Sequence, residues 1–269
     1  VALAAVAGLM TLMLLFVLLF VRDPFADPAA VRRPGAFRAL VGSMVRFVKD
    51  VYSSFWRSGR GPKAGVALAL LPCGAMALAY ATLATLQVDY GLDNRQIAVL
   101  SVGNTIAAAV GCLGGGWVAD RFGARRTVAT AFALTAMPTL VLAALIWDRG
   151  LQAVPIEVFF ALVIVHGVCF GSAYGARNAV FMGLTNPAVA ATQFTAYMGM
   201  GNLAISFGNY WQGMVAERLG YPTVLLLDAA IALLVIAVIP FVSDRKAGPS
   251  VRRRRDLRVA HAPSENLGV

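Results

Sequence analysis

Seven stretches of apolar residues follow one another along the chain, and each is close to the ~20 residues that a helix needs to cross a bilayer. Short polar connections separate the last six. The stretches are residues 2–21, 64–87, 97–119, 127–147, 154–181, 190–216 and 222–242. This pattern predicts an all-α membrane protein with a bundle of about seven transmembrane helices.

The first stretch stands apart from the others. It lacks the basic residues that open a signal peptide and exceeds the apolar part of one, so we interpret it as a transmembrane helix. In the basic loop that follows, apolar residues recur every three or four positions. This spacing predicts a helix on the inner leaflet, and a solvated helix packed on other cytoplasmic loops fits it equally well. The apolar stripe consists of Phe37, Val41, Met44, Val48, Val51 and Phe55.

The composition agrees with a membrane protein, since 59% of the residues are hydrophobic, 13% are charged and the mean hydropathy is +0.73. The formal net charge of +10 is unevenly distributed. Nine, three and seven Lys or Arg residues lie in the segments 22–63, 121–126 and 245–258. The opposite connections hold only Arg95, Arg149 and Arg218. By the positive-inside rule the basic side, with the C-terminus, is cytoplasmic, and the charge requires no nucleic-acid partner.

Residues for metal or acid–base chemistry are scarce. The three cysteines, Cys73, Cys112 and Cys169, lie within apolar stretches and lack the spacing of a zinc site or a disulfide framework. The histidines are His166 and His261. We therefore expect no metal site, no cofactor and no enzymatic activity.

Small residues within the stretches indicate close helix packing. Gly167, Gly171 and Gly175 recur every four residues, and a second group lies in the third stretch at Gly111, Gly115 and Gly116. Such glycines allow neighbouring backbones to approach each other. They follow no strand, so helix packing is favoured over phosphate binding.

A charged turn joins the third and fourth stretches. It has the pattern G-x-x-x-D-R-x-G-x-R-R, formed by Gly116, Asp120, Arg121, Gly123, Arg125 and Arg126. This pattern resembles the signature loop of the major facilitator superfamily of transporters, and departs from it at Ala124, where the family usually has a basic residue. The resemblance implies that the turn is a conformational latch.

The same resemblance implies a domain organisation. Residues 1–22 would be the last helix of an N-terminal half, residues 23–63 the cytoplasmic central loop with its amphipathic helix, residues 64–243 the six-helix C-terminal half, and residues 244–269 a basic cytoplasmic tail. The remaining N-terminal helices of the same protein would be its partner.

A narrower resemblance appears in residues 184–197, around Ala191-Thr192-Gln193-Phe194, and in Asn209-Tyr210-Trp211-Gln212-Gly213. These residues resemble the AmpG-like permeases of the peptide, acetyl-coenzyme A and drug transporter group. The resemblance implies uptake of a small solute such as a muropeptide by alternating access, with protons as the coupling ion, in the bacterial inner (plasma) membrane. A non-transporting membrane scaffold or sensor built on the same fold is the alternative.

The sixth stretch is the most polar one. Polar side chains in a bilayer turn toward protein or water, so we expect this stretch to line a substrate cavity, with hydrogen bonding between helices as the alternative. Its candidates are Gln193, Tyr197, Asn202, Ser206, Asn209, Tyr210 and Gln212. Weaker candidates on the second and third stretches are Tyr80, Thr82, Gln87, Ser101 and Asn104.

Two charged residues within the stretches need partners. An unpaired Arg177 would cost roughly 2.5 to 3.5 kcal/mol even on lenient insertion scales. It is either a clamp for an anionic substrate group or a structural partner of Asp120, and the family resemblance favours the pairing with Asp120. Asp228 is the candidate carboxylate for proton coupling, and local pairing or contact with headgroups is its alternative.

Overall fold

A computed structural model describes residues 60–185, 189–237 and 239–241, together with residues 8, 10–16, 19, 42, 45, 49 and 52–56. The chain divides into two compact units, residues 1–49 and 50–269. In the first unit, residues 10–16 are helical. Most of the predicted first span and of the inner-leaflet helix, and the basic tail, lie outside the described residues. The fold below is that of the second unit.

The described elements of this unit are α-helices and two short 3-10 helices. They are α1 (Arg60–Leu70), α2 (Ala81–Tyr90), α3 (Asn94–Phe122), α4 (Ala124–Arg149), α5 (Ile156–Leu184) and α6 (Ala190–Ile236), with 3-10 turns at Leu151–Ala153 and Ile239–Phe241. Gly220, with φ 78° and ψ 167°, divides α6 into α6a, residues 190–219, and α6b, residues 221–236. Helices α3 to α6 are long and apolar enough to cross a membrane. The predicted all-α membrane fold is confirmed.

Local sequence determines where α3 begins and ends. The Asp93 side chain accepts the backbone N–H of Gln96 at 2.7 Å, and the Gln96 side chain accepts that of Asp93 at 2.9 Å. This reciprocal capping box satisfies two donors of the first turn. At the other end, Gly123 has φ 95° and separates α3 from α4 as a single residue. Glycine adopts this positive φ without strain, so the charged turn is very tight.

The prediction of one continuous helix across residues 64–87 is wrong. Residues 71–80, between α1 and α2, are not helical. Pro72 lacks a backbone donor, and Gly74 has φ 77°, so both interrupt a helix. The segment is nevertheless inside the bundle, since its residues 73–78 are all buried. Non-helical backbone at this depth must find its hydrogen-bond partners elsewhere in the protein.

Helices α3 and α5 are in backbone contact along their length. A Cβ atom on Gly111 would collide with the carbonyl oxygen of Val168, and one on Gly171 would collide with that of Ala108. A Cβ atom on Gly115 or on Gly175 would likewise collide with the backbone of the other helix. The close packing predicted from these glycines is therefore confirmed.

Contacts between connections define the two ends of the bundle. At one end the Tyr90 hydroxyl donates to the Val154 carbonyl at 2.5 Å, and the Tyr221 hydroxyl donates to Asp89 Oδ2 at 2.6 Å. At the other end, a cavity of about 490 Å³ is lined by residues 122–126 of the charged turn and by Ile239 and Pro240. The connections before α3, between α3 and α4, and between α4 and α5 thus lie at alternate ends, as crossings of a membrane require.

Candidate functional site

Asp228, on α6b, is buried and accepts three hydrogen bonds. Its Oδ2 accepts the backbone N–H groups of Met76 at 2.7 Å and Ala77 at 2.8 Å, and its Oδ1 accepts Nε2–H of Gln212 at 2.8 Å. The hydroxyl of Thr82 donates to Oε1 of Gln212 at 2.8 Å. Met76 and Ala77 belong to the non-helical segment 71–80. Asp228 therefore replaces the carbonyl oxygens that a continuous helix would have offered these N–H groups.

Two further helices hold the same segment through Ala75. The Ala75 N–H donates to Oγ1 of Thr135 on α4 at 2.9 Å. Nε2 of His166 on α5 lies 2.9 Å from the Ala75 carbonyl oxygen, and a carbonyl only accepts, so this nitrogen carries the proton. A Cβ on Gly74 would come within 2.5 Å of Thr135 Oγ1. Side chains from α4, α5 and α6 together fix the broken span.

Only part of this arrangement is predictable from the amino-acid sequence. Asp228 stands out as a buried-looking acid in an apolar stretch, whereas Thr135 and His166 do not stand out. Their partners are backbone groups of a segment that resembles a helix by its apolar composition. The signal available in the sequence is the pair Pro72 and Gly74, which marks a break.

Arg177, on α5, is the second buried charge and is 2% exposed. Its Cζ lies 5.5 Å from the centroid of the Tyr174 ring and 5.4 Å from that of Phe181. Each desolvated cation–π contact contributes about 2 kcal/mol, which is comparable to the burial cost of one arginine. Gly201 of α6a leaves room for the guanidinium, because a Cβ there would lie 3.3 Å from Nη2. Two rings thus accommodate the cation.

The hydrogen-bonding capacity of Arg177 is not used by the described residues. Its buried Nε has no partner among them, and no Asp or Glu oxygen of that part of the chain lies within 4.0 Å of the guanidinium. The expected pairing with Asp120 is therefore not present in this structure. Asp120 is exposed at the end of α3, whereas Arg177 is enclosed between α5 and α6a.

The predicted cavity residues of α6a divide into two faces. Gln193, Tyr197 and Gln212 are fully buried. The Tyr197 ring stacks on Phe181 with centroids 4.8 Å apart, and its hydroxyl donates to the Pro62 carbonyl at 3.2 Å. Tyr197 and Gln212 join helices to one another, so the alternative interpretation, hydrogen bonding between helices, applies to these two residues.

The opposite face of α6a is open. Asn202 and Ser206 are exposed, Asn209 is partly buried, and Tyr210 is 65% exposed. The Ser206 hydroxyl donates to the Asn202 carbonyl at 3.0 Å, within the helix. These four residues are the part of the predicted lining that remains accessible.

An aromatic row lies on the face of α5 that carries Arg177. His166, Phe170 and Tyr174 follow at helical spacing. The Tyr80 ring packs edge-on against Phe170 with centroids 5.7 Å apart, and His166 stacks on the same ring at 5.8 Å. Tyr80 therefore lies against the face of α5 that also carries Arg177.

Asn104 lies at the crossing of α3 and α5. A Cβ on Gly167 would collide with Oδ1 of Asn104, so glycine is what makes room for this amide. Oδ1 is buried without a partner among the described residues. Asn104 belongs to the packing between these two helices.

The charged turn lies at the end of the bundle opposite Tyr90. Asp120, Arg121, Gly123 and Arg126 are exposed, and Gly116 and Arg125 are partly buried. Arg121 Cζ lies 5.8 Å from the centroid of the Trp117 ring. Within the described residues, no group of three His, Cys, Asp or Glu residues could hold a metal ion.

Comparison with known proteins identifies the family. The sequence profile of the Major Facilitator Superfamily matches residues 64–266. A protein of Pseudomonas putida described as a gallate transporter is 32% identical over 158 residues, which are 57% of this chain and 34% of that protein. The chain thus spans about a third of this relative's length. No solved structure matches the chain. Because the profile matches most of the chain, and because the chain has the signature turn and helices of membrane-spanning length, it belongs to the major facilitator superfamily.

Proposed function

We propose that the protein is a secondary carrier that moves a small organic anion by alternating access, and that Arg177 binds the carboxylate of this substrate. Arg177 itself is the observation that supports the proposal. It is a buried cation held by two rings, with no carboxylate near it among the described residues. A substrate carboxylate would match the planar fork of the guanidinium and use its free donors.

The surroundings of Arg177 favour a substrate with a flat or apolar body. The Tyr174 ring lies against the guanidinium, and Phe170 with Tyr80 continues the aromatic surface along the same side of α5. Gallate, which the Pseudomonas relative is named for, is an aromatic carboxylate that would stack on such rings. A muropeptide also carries carboxylates, and the residues 191–194 that resemble AmpG-like permeases favour it. Both candidates present the same group to Arg177.

The open polar face of α6a completes the proposed path. Asn202, Ser206, Asn209 and Tyr210 would line the cavity between this half and the remaining helices of the carrier. Amide and hydroxyl groups suit the hydroxyls of a phenol or a sugar. Alternating access would then expose this face to each side of the membrane in turn.

Asp228 is the proposed site of the coupling proton. Protonation would turn one of its acceptor oxygens into a donor that faces other donors. A proton on Oδ1 would displace the N–H of Gln212, whereas a proton on Oδ2 would displace those of Met76 and Ala77. Protonation of Oδ2 and movement of segment 71–80 would be linked in this way.

Orientation can be tested with reporters. The charge distribution predicts a cytoplasmic C-terminus. A reporter fused after Val269 should report a cytoplasmic location, and one inserted beside Arg149 should report an external one. The reverse pattern would contradict the orientation.

The anion proposal is tested by uptake into proteoliposomes that contain the protein made from its full reading frame. Labelled gallate and a labelled anhydro-muropeptide are the probes, and pyrogallol, which is gallate without its carboxylate, is the control solute. We expect uptake of at least one carboxylate, and Arg177→Met should weaken it about 100-fold, as loss of one partner of a buried charged pair does. Arg177→Lys keeps the positive charge but not the planar guanidinium, so its uptake of the carboxylate should fall less than that of Arg177→Met.

Three controls accompany this experiment. Arg149→Met removes an exposed arginine and should leave uptake unchanged, because exposed ion pairs contribute little. Protein yield should fall in none of these variants by as much as uptake. Combining Arg177→Met with Asp120→Asn should give additive effects, since the two residues are not in contact. Uptake of neither carboxylate by the wild type would favour the non-transporting scaffold, and unchanged uptake in Arg177→Met would overturn the anion site.

A further inference from the structure

A groove between α3 and α4 opens beside the charged turn. Both helices pack mainly on α5 rather than on each other, which leaves a cavity of about 610 Å³ between them. Trp117, Val118 and Phe122 of α3 and Leu134 of α4 form its walls, and Ser172 of α5 lies at its floor. The walls are therefore mostly apolar, with Thr127 and Thr130 of α4 as the polar residues among them.

The floor offers no unused donor. The Ser172 hydroxyl lies 3.0 Å from the Gly111 carbonyl oxygen and 2.9 Å from that of Val168, and it donates within this helix pair. A polar solute would gain little from such a groove, whereas a hydrocarbon chain would lose nothing by entering it.

One end of the groove is basic. Arg126 lines it and is exposed, and Arg121 lies over the Trp117 ring at the same end. Asp120, the neighbouring acid, does not line the groove. From Arg126 to Leu134 the groove follows α4 for about 12 Å, which is more than a third of the ~30 Å hydrocarbon core of a bilayer.

We infer that this groove binds one anionic glycerophospholipid, with an acyl chain between α3 and α4 and the phosphate group at Arg121 and Arg126. Charge complementarity at the basic end selects an anionic headgroup, and the apolar walls select a chain. Trp117 and Phe122 are 62% and 61% exposed, and aromatic rings at this depth favour the headgroup boundary. The inference does not depend on which solute the carrier moves.

Fluorescence quenching tests this site. The protein made from its full reading frame is placed in nanodiscs of phosphatidylcholine and phosphatidylglycerol, with one of the two lipids brominated in its acyl chain. The fluorescence of Trp117 is obtained by subtracting the fluorescence of the Trp117→Phe variant from that of the wild type. We expect brominated phosphatidylglycerol to quench Trp117 more strongly than brominated phosphatidylcholine at equal mole fraction. Arg126→Gln should reduce this preference about fivefold, the effect of one arginine at an anionic surface.

Variants that fill the groove with a larger side chain provide a second test. Gly114 lines the groove with nothing within 4 Å of a Cβ atom, so Gly114→Leu should reduce quenching by both lipids. Thr130→Leu, on the opposite wall, serves the same purpose if the first variant folds poorly. Gly183→Leu, at an equally open glycine away from the groove, should change nothing. Equal quenching by both lipids in the wild type, no effect of groove filling, or shielding of Trp117 from both lipids by another part of the protein would each overturn the inference.

Discussion

Asp228→Asn is expected to lower the free energy of unfolding by about 3 kcal/mol, because a buried hydrogen bond to a charged acceptor contributes about 1.5 to 3 kcal/mol. The carboxylate accepts from Met76, Ala77 and Gln212. An Asn side chain has one acceptor oxygen, and its NH₂ group would face a donor. Either one donor is then buried without a partner, or the Gln212 amide turns over and gives up the hydrogen bond that it accepts from Thr82. The midpoint of thermal unfolding in detergent and the yield of folded protein measure this loss.

Gln212→Glu combined with Asp228→Asn is the matched control. In the double variant the Asn oxygen can accept from Met76 and Ala77, its NH₂ can donate to the carboxylate introduced at position 212, and that carboxylate can still accept from Thr82. The number of hydrogen bonds is kept while the charge moves to the neighbouring side chain. We expect the double variant to recover most of the lost stability. A double variant no more stable than the single one would contradict the role of this cluster in holding the broken span.

The same pair also tests proton coupling. If Asp228 carries the coupling proton, the double variant should fold but show a changed pH dependence of uptake, because the carboxylate then occupies position 212. An unchanged pH dependence together with restored folding would leave Asp228 a purely structural role. Stability and coupling are thus read out separately.

Gly111→Ala is expected to have the second-largest effect. Its Cβ would overlap the carbonyl oxygen of Val168 on α5, and a backbone atom cannot move to another rotamer. The two helices would have to separate along a contact that Gly115 and Gly171 also maintain. Overpacking of this kind costs typically 1 to 3 kcal/mol, occasionally more, and here we expect about 3 kcal/mol. Thermal unfolding in detergent measures it.

Gly114→Ala is the control for this prediction. Gly114 is three residues further along α3, and a Cβ there would meet nothing within 4 Å. Since alanine stabilises a helix relative to glycine by up to about 1 kcal/mol, this variant should be as stable as the wild type or slightly more stable. Equal destabilisation by both substitutions would show that the contact with α5 is not what makes Gly111 sensitive to a larger side chain.

The long helices are predictable from the sequence, whereas the broken span is not. Residues 97–119 and 127–147 form uninterrupted apolar stretches, and the structure has α3 and α4 at these positions. Segment 71–80 is equally apolar, but Thr135, His166 and Asp228 offer its backbone other partners. These residues are distant in sequence, so no local pattern reveals that they meet.

The polar and charged residues of the candidate site are predictable from the sequence, whereas their surroundings are not. Arg177 stands out because charge is rare in a bilayer, but the rings that surround it are ordinary members of an apolar helix. On α6a, polar residues at helical spacing indicate one polar face. The structure has two, because the buried Tyr197 and Gln212 lie on one side of α6a and the exposed Asn202 and Ser206 lie on the other. The helical period of 3.6 residues places Tyr197 and Asn202, which are five positions apart, on different faces, so the prediction of a single polar face is too coarse.

The hydrogen bonds from Met76 and Ala77 to Asp228 also bear on how the protein is made. The residues they join are 152 and 151 positions apart, and at ~5 to 20 residues per second a ribosome takes roughly 8 to 30 seconds to cover that distance. During this interval the broken span is already synthesised while its acceptor is not, and exposed amides are costly in lipid. The span must wait in water, in the insertion machinery or against a temporary partner. Packing of the broken span is thus completed only when α6b has been synthesised, and a ribosome stalled before residue 228 would leave an intermediate that membrane quality control can recognise.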